Sequence, residues 1–88
     1  MRTVILDDVA RAALDAANGS FYRVYDAQQG LEWRLCRRPM DGLARKRGYY
    51  ISKQFGIKAM HIPTITALYI YDDDTVTIKA LAFRPADN

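Results

Sequence analysis

Residues 64–83 constrain the fold of this chain more than any other stretch. Two runs rich in β-branched and aromatic residues, 64–71 and 75–83, flank Asp72-Asp73-Asp74. Such runs favour extended backbone, and three successive carboxylates between them form a turn, so the segment predicts an antiparallel hairpin. Side chains alternate along a strand. Val76, Ile78, Ala80 and Ala82 are therefore expected on one face, and Thr75, Thr77, Lys79 and Leu81 on the other. Three adjacent acids in a tight turn point in different directions and have no further oxygen ligands at calcium-loop spacing, so they read as a turn and not a metal site.

At the other end, Thr3 to Leu6 is a short β-branched run and reads as a strand. The period then changes. Asp7 and Asp8 supply an N-cap and negative charge for a first helical turn. Val9, Ala10, Ala13, Leu14 and Ala17 recur at spacings of three and four until Asn18-Gly19, which predicts a helix near residues 8–18.

Residues 20–38 leave two readings open. As strands, Phe21 to Tyr25 and Leu31 to Arg37 would form a hairpin around Gln28-Gln29-Gly30. As a helix, Ser20 is the N-cap, Phe21, Val24, Leu31 and Leu35 share one stripe, and Pro39 is the stop, at a cost of roughly 1 kcal/mol for Gly30. Residues 39–48 hold Pro, Asp-Gly and Arg-Lys-Arg and read as an exposed basic connection. Tyr49 to Lys53 alternates as a strand. Gly56 breaks the alternation, which resumes from Lys58 to Ile62 and stops at Pro63, a residue suited to an edge or a bulge. Residues 85–88 read as a frayed tail. With 88 residues, half of them hydrophobic, the chain suits one core and one domain spanning 1–88.

Charge is distributed unevenly. Between Arg34 and Lys58 there are five Arg and three Lys against Asp41 alone, a local +7 in a chain whose total is +3, so the remainder carries −4. A basic band on an otherwise acidic small chain points to a phosphate-rich or acidic partner. Single Cys36 and single His61 cannot assemble a Cys/His zinc set, and no cofactor motif stands out. Cys36, beside Leu35, reads as a buried structural thiol. The apolar run after Met1-Arg2 is too brief for a signal-peptide core or a membrane span, which leads to the expectation of a cytoplasmic protein without membrane contact. Tyr22, Tyr25, Tyr69 and Tyr71 read as packing residues whose hydroxyls lie at the rim of a core.

Several short motifs carry a resemblance. Residues 30–39, Gly-Leu-Glu-Trp-Arg-Leu-Cys-Arg-Arg-Pro, look like a second helix with its terminating proline. Arg47-Gly48-Tyr49-Tyr50-Ile51 looks like a Gly-Tyr-aromatic strand entry, and residues 67–78 look like a closing hairpin, followed by Arg84. In order and length the chain resembles the RelE/ParE superfamily of bacterial toxins from toxin-antitoxin modules. The resemblance implies an α+β fold, two N-terminal helices packed on a mainly antiparallel sheet of three to four strands. It also implies the toxin component of such a module, which inhibits a nucleic-acid machine through a basic face. A cognate antitoxin would be the partner, and RNA on the ribosome or DNA gyrase the target. Two positions depart from the RNA-cleaving members: residues 60–65 contain no arginine, and no His or Tyr follows Arg84.

An RNA-cleaving toxin of this kind would act as a metal-independent endoribonuclease. Such chemistry needs a base for the 2′-hydroxyl, an acid for the leaving oxygen and cations for the phosphate. His61, whose ordinary pKa lies near neutrality, Lys53, Lys58 and Arg84 are the candidate catalytic residues. Arg37, Arg38, Arg45, Lys46 and Arg47, with Tyr49 and Tyr50 for stacking, are the candidate contacts to nucleic acid or partner. The alternatives are a non-catalytic ParE-like gyrase poison, and a small phage or mobile-element inhibitor acting by stoichiometric binding. The last is favoured if residues 20–37 are a hairpin.

Overall fold

The computed structural model describes residues 1–87; Asn88, the end of the expected tail, lies outside the described residues. The elements are β1 (Thr3–Leu6), α1 (Asp8–Asn18), α2 (Val24–Arg37), β2 (Leu43–Ala44), β3 (Tyr50–Gln54), β4 (Thr64–Tyr71) and β5 (Thr75–Arg84). One sheet runs in the order β1-β5-β4-β3-β2. All neighbours are antiparallel except β1, which lies parallel to β5. The fold is thus α+β, with two helices on a mixed sheet of five strands. Two local readings differ from the expected elements, and only the first adds a strand to the expected three to four. Leu43–Ala44, within the expected connection, pairs with Ile51 and Tyr50. Residues 58–62 do not continue a strand: Lys58–Met60 is a 3₁₀ turn closed by a single bridge between Ile57 and Ile62.

The helix at 8–18 forms as its sequence dictates. The Asp7 carboxylate accepts from the Ala10 amide at 3.1 Å, and Ala10, Leu14 and Ala17 are buried on one stripe. Gly19 closes it in a right-handed conformation rather than the left-handed one its sequence allows. Residues 24–37 form one helix, not a hairpin, with Val24, Ala27, Gln28, Leu31 and Leu35 buried. Gly30 lets α2 come close to β3: a Cβ at this position would meet the side-chain amide of Gln54, which would have to swing aside. The close approach of α2 to β3 thereby offsets the low helix propensity of glycine.

The core lies between the helices and one face of the sheet. Ile65, Ala67 and Tyr69 from β4 meet Val76, Ile78 and Leu81 from β5, and the helical stripes cover them. The pairing explains which face of β5 is buried. Tyr71 faces Val76 and Tyr69 faces Ile78, but Leu68 faces Ala80, so Lys79 is an extra residue and the alternation reverses beyond it. Leu81 is buried and Ala82 exposed, the opposite of the expected faces.

Tyr69, with no solvent exposure, is the largest of the fully buried side chains. Its hydroxyl donates to the Pro39 carbonyl at 2.6 Å, and burial pushes its pKa up to about 12. Tyr50 and Tyr71 pack against it with ring centroids 5.8 and 6.4 Å away. Tyr22 and Tyr25 differ from the packing expectation, being 89% and 49% exposed. They precede or flank the buried stripe of α2 and look outward. Cys36 is half-buried, on the flank of α2 beside Met1 and Arg2, and its thiol approaches the Trp33 carbonyl at 3.1 Å. At the hairpin, the Asp72 carboxylate accepts from the Asp74 and Thr75 amides, each at 2.8 Å, and these bonds hold its pKa below the usual range.

Both helices occupy one side, so among the described residues the other face of the sheet carries no helix. Ile5, Leu43, Ile51, Lys53, Thr66, Leu68, Ile70, Thr77 and Ala82 belong to it by register, and all are half-buried or exposed.

Candidate anionic-partner interface

The basic band follows β3 and the segments at its two ends. At the first end, residues 46–48 form a tight 3₁₀ turn in which Arg47 and Gly48 both take positive φ, 63° and 78°. The Arg45 amide donates to the Tyr49 carbonyl at 2.7 Å, which ties the turn to the start of β3. Arg45, Lys46 and Arg47 are exposed as a result, and Arg45 and Lys46 border a shallow depression with Tyr49, Ile51 and Leu68 on the helix-free face. Tyr50 points the other way, into the aromatic cluster with Tyr69 and Tyr71, and is half-buried.

The second end gathers Lys53, Phe55, Lys58, His61 and Arg84. Lys53 pairs with Thr66, and Thr64 pairs with Arg84, which puts both cations on the helix-free face. One strand separates them laterally and two residues lengthwise, so their Cα atoms are about 12 Å apart. Tyr49 lies about 13 Å along β3 from Lys53, which separates the two ends. The Lys53 ammonium lies 5.7 Å from the centroid of the Phe55 ring. Lys58 opens and His61 closes the 3₁₀ turn just beyond, and both border a shallow cleft with Phe21, Tyr22, Pro63 and Pro85. His61 holds a left-handed conformation, φ 58° and ψ 30°, that closes the turn, and its side chain is exposed. A positive φ at a residue with a Cβ costs free energy, of order 1 kcal/mol.

The α2 cations stand apart from both ends. Arg34 reaches over the sheet edge and donates to Ser52 Oγ at 2.7 Å and to the Lys53 carbonyl at 3.0 Å. Arg37 stacks on the Trp33 ring, 4.2 Å from its centroid. Arg38 is paired with Asp41 at 2.7 Å, which raises the guanidinium pKa and holds the Asp41 carboxyl below the carboxylate range. Among the described residues no carboxylate lies within 4 Å of Arg45, Lys46, Arg47, Lys53, Lys58 or Arg84. The sequence-predicted cations thus form two unpaired groups at opposite ends of β3, together with an α2 group engaged in local contacts.

Phe55 is the residue that reading the sequence missed. It is 75% exposed, and Ile57 and Met60 beside it are 47% and 45% exposed. The available signal was a lone aromatic between a strand and Gly56, outside either alternation. Gly56 itself is fixed: its amide donates to Thr64 Oγ1 at 3.0 Å, and a Cβ there would strike the backbone of Ile62 and Pro63.

Comparison with family models, curated proteins and solved structures finds no match to this chain. Among the described residues no helix is long and apolar enough to cross a membrane.

Proposed function

We propose that this chain is the toxin component of a bacterial toxin-antitoxin module, acting in the cytoplasm, and that it inhibits a nucleic-acid machine through the basic end of its helix-free sheet face. The observation that carries this reading is the grouping of Lys53, Lys58 and Arg84 around the turn that bears His61, with no carboxylate of the described residues within 4 Å of any of them. Exposed cations left unneutralised favour an anionic partner. The helix at Val24–Arg37 supports the same reading, since a hairpin there would have favoured a stoichiometric inhibitor. An acidic antitoxin would neutralise this face. The exposed Tyr22, just before α2, and Tyr25 and Trp33 on it are apolar surface for it to cover.

In an mRNA-cleaving version, Lys53 and Arg84 stabilise the phosphate and His61 moves a proton. His61 is the chain's one histidine, so the second proton-transfer group has to be of another residue type. That chemical shortage favours a second reading, a ParE-like poison of DNA gyrase that needs no proton transfer. Induced expression, followed by transcript mapping and by gyrase supercoiling with purified protein, separates the two. Cleaved transcripts with unaffected supercoiling identify the RNase, and blocked supercoiling with intact transcripts identifies the poison. Normal growth on induction refutes both.

A further inference from the structure

We propose that Phe55 is a stacking platform for an unpaired base of single-stranded RNA whose phosphates are held by Lys53 and Arg84. The inference rests on the reading of this end of the sheet as the contact surface, and adds the ligand class and the residue that engages it.

Phe55, Ile57 and Met60 are exposed apolar side chains on one short segment that also carries Lys58 and follows Lys53, and Arg84 lies across β4, about 12 Å from Lys53 between Cα atoms. Core packing gives no reason for a phenylalanine that is three-quarters exposed. The loop is nonetheless held in place. The Gly56 amide bonds to Thr64, the Ile57 amide donates to the Ile62 carbonyl at 2.9 Å, and the Ile62 amide returns the bond at 3.1 Å. The ring is therefore presented by rigid backbone, which lowers the ordering cost of binding.

Charge complementarity selects the occupant. An exposed apolar segment with cations on it and beside it, and no acid among the described residues within 4 Å of them, suits a ligand with a flat apolar face and flanking negative charge. A nucleotide in a single strand has both, whereas the bases of a duplex are already stacked on one another. The Lys53 ammonium already lies over the ring, so a phosphate drawn to it is brought next to the aromatic face. Only the face of the base is engaged, so sequence preference is expected to be weak.

The test uses the full chain carrying W33F and F55W, which places the one tryptophan at the platform. A short 2′-O-methyl oligoadenylate, resistant to cleavage, is the probe. Saturable quenching of the tryptophan fluorescence of this double variant is expected at low salt. The logarithm of affinity should fall against the logarithm of salt with a slope of roughly −1.4 to −2 for two or three phosphates. In the otherwise native chain, F55A should weaken binding about tenfold or more, while F55Y should retain it. K53A with R84A should reduce that slope by about 1.4. Binding of equal strength in F55A and native protein would overturn the platform, as would no binding at low salt by a chain with native circular dichroism. Growth arrest on induction is scored separately. Arrest without oligonucleotide binding keeps the toxin reading with a protein target and rejects the platform. Phe55-dependent binding without arrest keeps the platform and rejects the toxin.

Discussion

Replacing Tyr69 by phenylalanine should change stability in two separable ways. At neutral pH the variant loses the bond from the Tyr69 hydroxyl to the Pro39 carbonyl, 2.6 Å long and buried, and leaves that carbonyl without its partner. A loss of about 1–2 kcal/mol follows. The second effect depends on pH. Burial raises the folded-state pKa of Tyr69 from 10.0 to about 12. A group with a raised folded pKa contributes fully below its unfolded pKa and loses its contribution as pH climbs through the folded one. Below pH 10 both states hold the proton and nothing changes. At pH 11 the unfolded chain has released most of it and the folded chain little, which costs about 1.4 kcal/mol, and about 2.7 kcal/mol is lost well above pH 12. The pKa of Tyr71 is also raised, chiefly by its hydrogen bond with Tyr50. The wild type minus Y69F difference isolates Tyr69 from this and from lysine titration. Urea unfolding followed by circular dichroism at pH 8 and pH 11 provides the readout. The gap of about 1–2 kcal/mol between the proteins at pH 8 should shrink by about 1.4 kcal/mol at pH 11. A gap that stays constant over this window would mean that Tyr69 ionises as easily folded as unfolded. The buried clamp between β4 and the 39–42 segment would then be wrongly placed.

Two further substitutions probe positions that set the shape of the site. Gly30→Ala should change stability by less than about 1 kcal/mol, because the Gln54 amide that the new methyl meets ends a flexible side chain and can swing aside, which offsets alanine's better helix propensity. In the Gln54→Ala background the same change should gain most of the roughly 1 kcal/mol of that propensity, and a strictly additive double-mutant cycle would contradict the contact. His61→Gly should be as stable as wild type or gain up to about 1 kcal/mol in thermal unfolding, since it relieves the left-handed conformation. If His61 moves a proton in RNA cleavage, the same variant loses growth arrest while remaining folded.

The closing hairpin and α1 were legible because their periods are local: alternate residues for one, a cap and a spacing of three and four for the other. The choice of helix for 24–37 was not, because what accommodates Gly30 is a side chain on β3, 24 positions further along. The face of β5 beyond Lys79 was read in reverse because one extra residue in a pairing leaves no local signal, and only the partner strand reveals it. A strand of two residues, β2, is too short to show a period, and the alternation at 58–62 belonged to a turn.

The candidate site was legible in its residue types but not in its grouping. Contiguous basic sequence became two groups at opposite ends of β3, while Arg38 found Asp41 three residues away and Arg34 found Ser52. Arg84, far from the band in sequence, joined Lys53 because β4 carries the register between them. Phe55 escaped notice because exposure of an aromatic is a property of the fold.

Growth arrest after induction, compared between two triple variants, tests the central claim most directly. Both K53A/K58A/R84A and R45A/K46A/R47A remove three exposed cations and leave the core untouched, so both should fold. Loss of arrest in the first, with circular dichroism and thermal unfolding unchanged, is the predicted result. Full arrest by that variant would contradict the assignment of function to this end of the sheet.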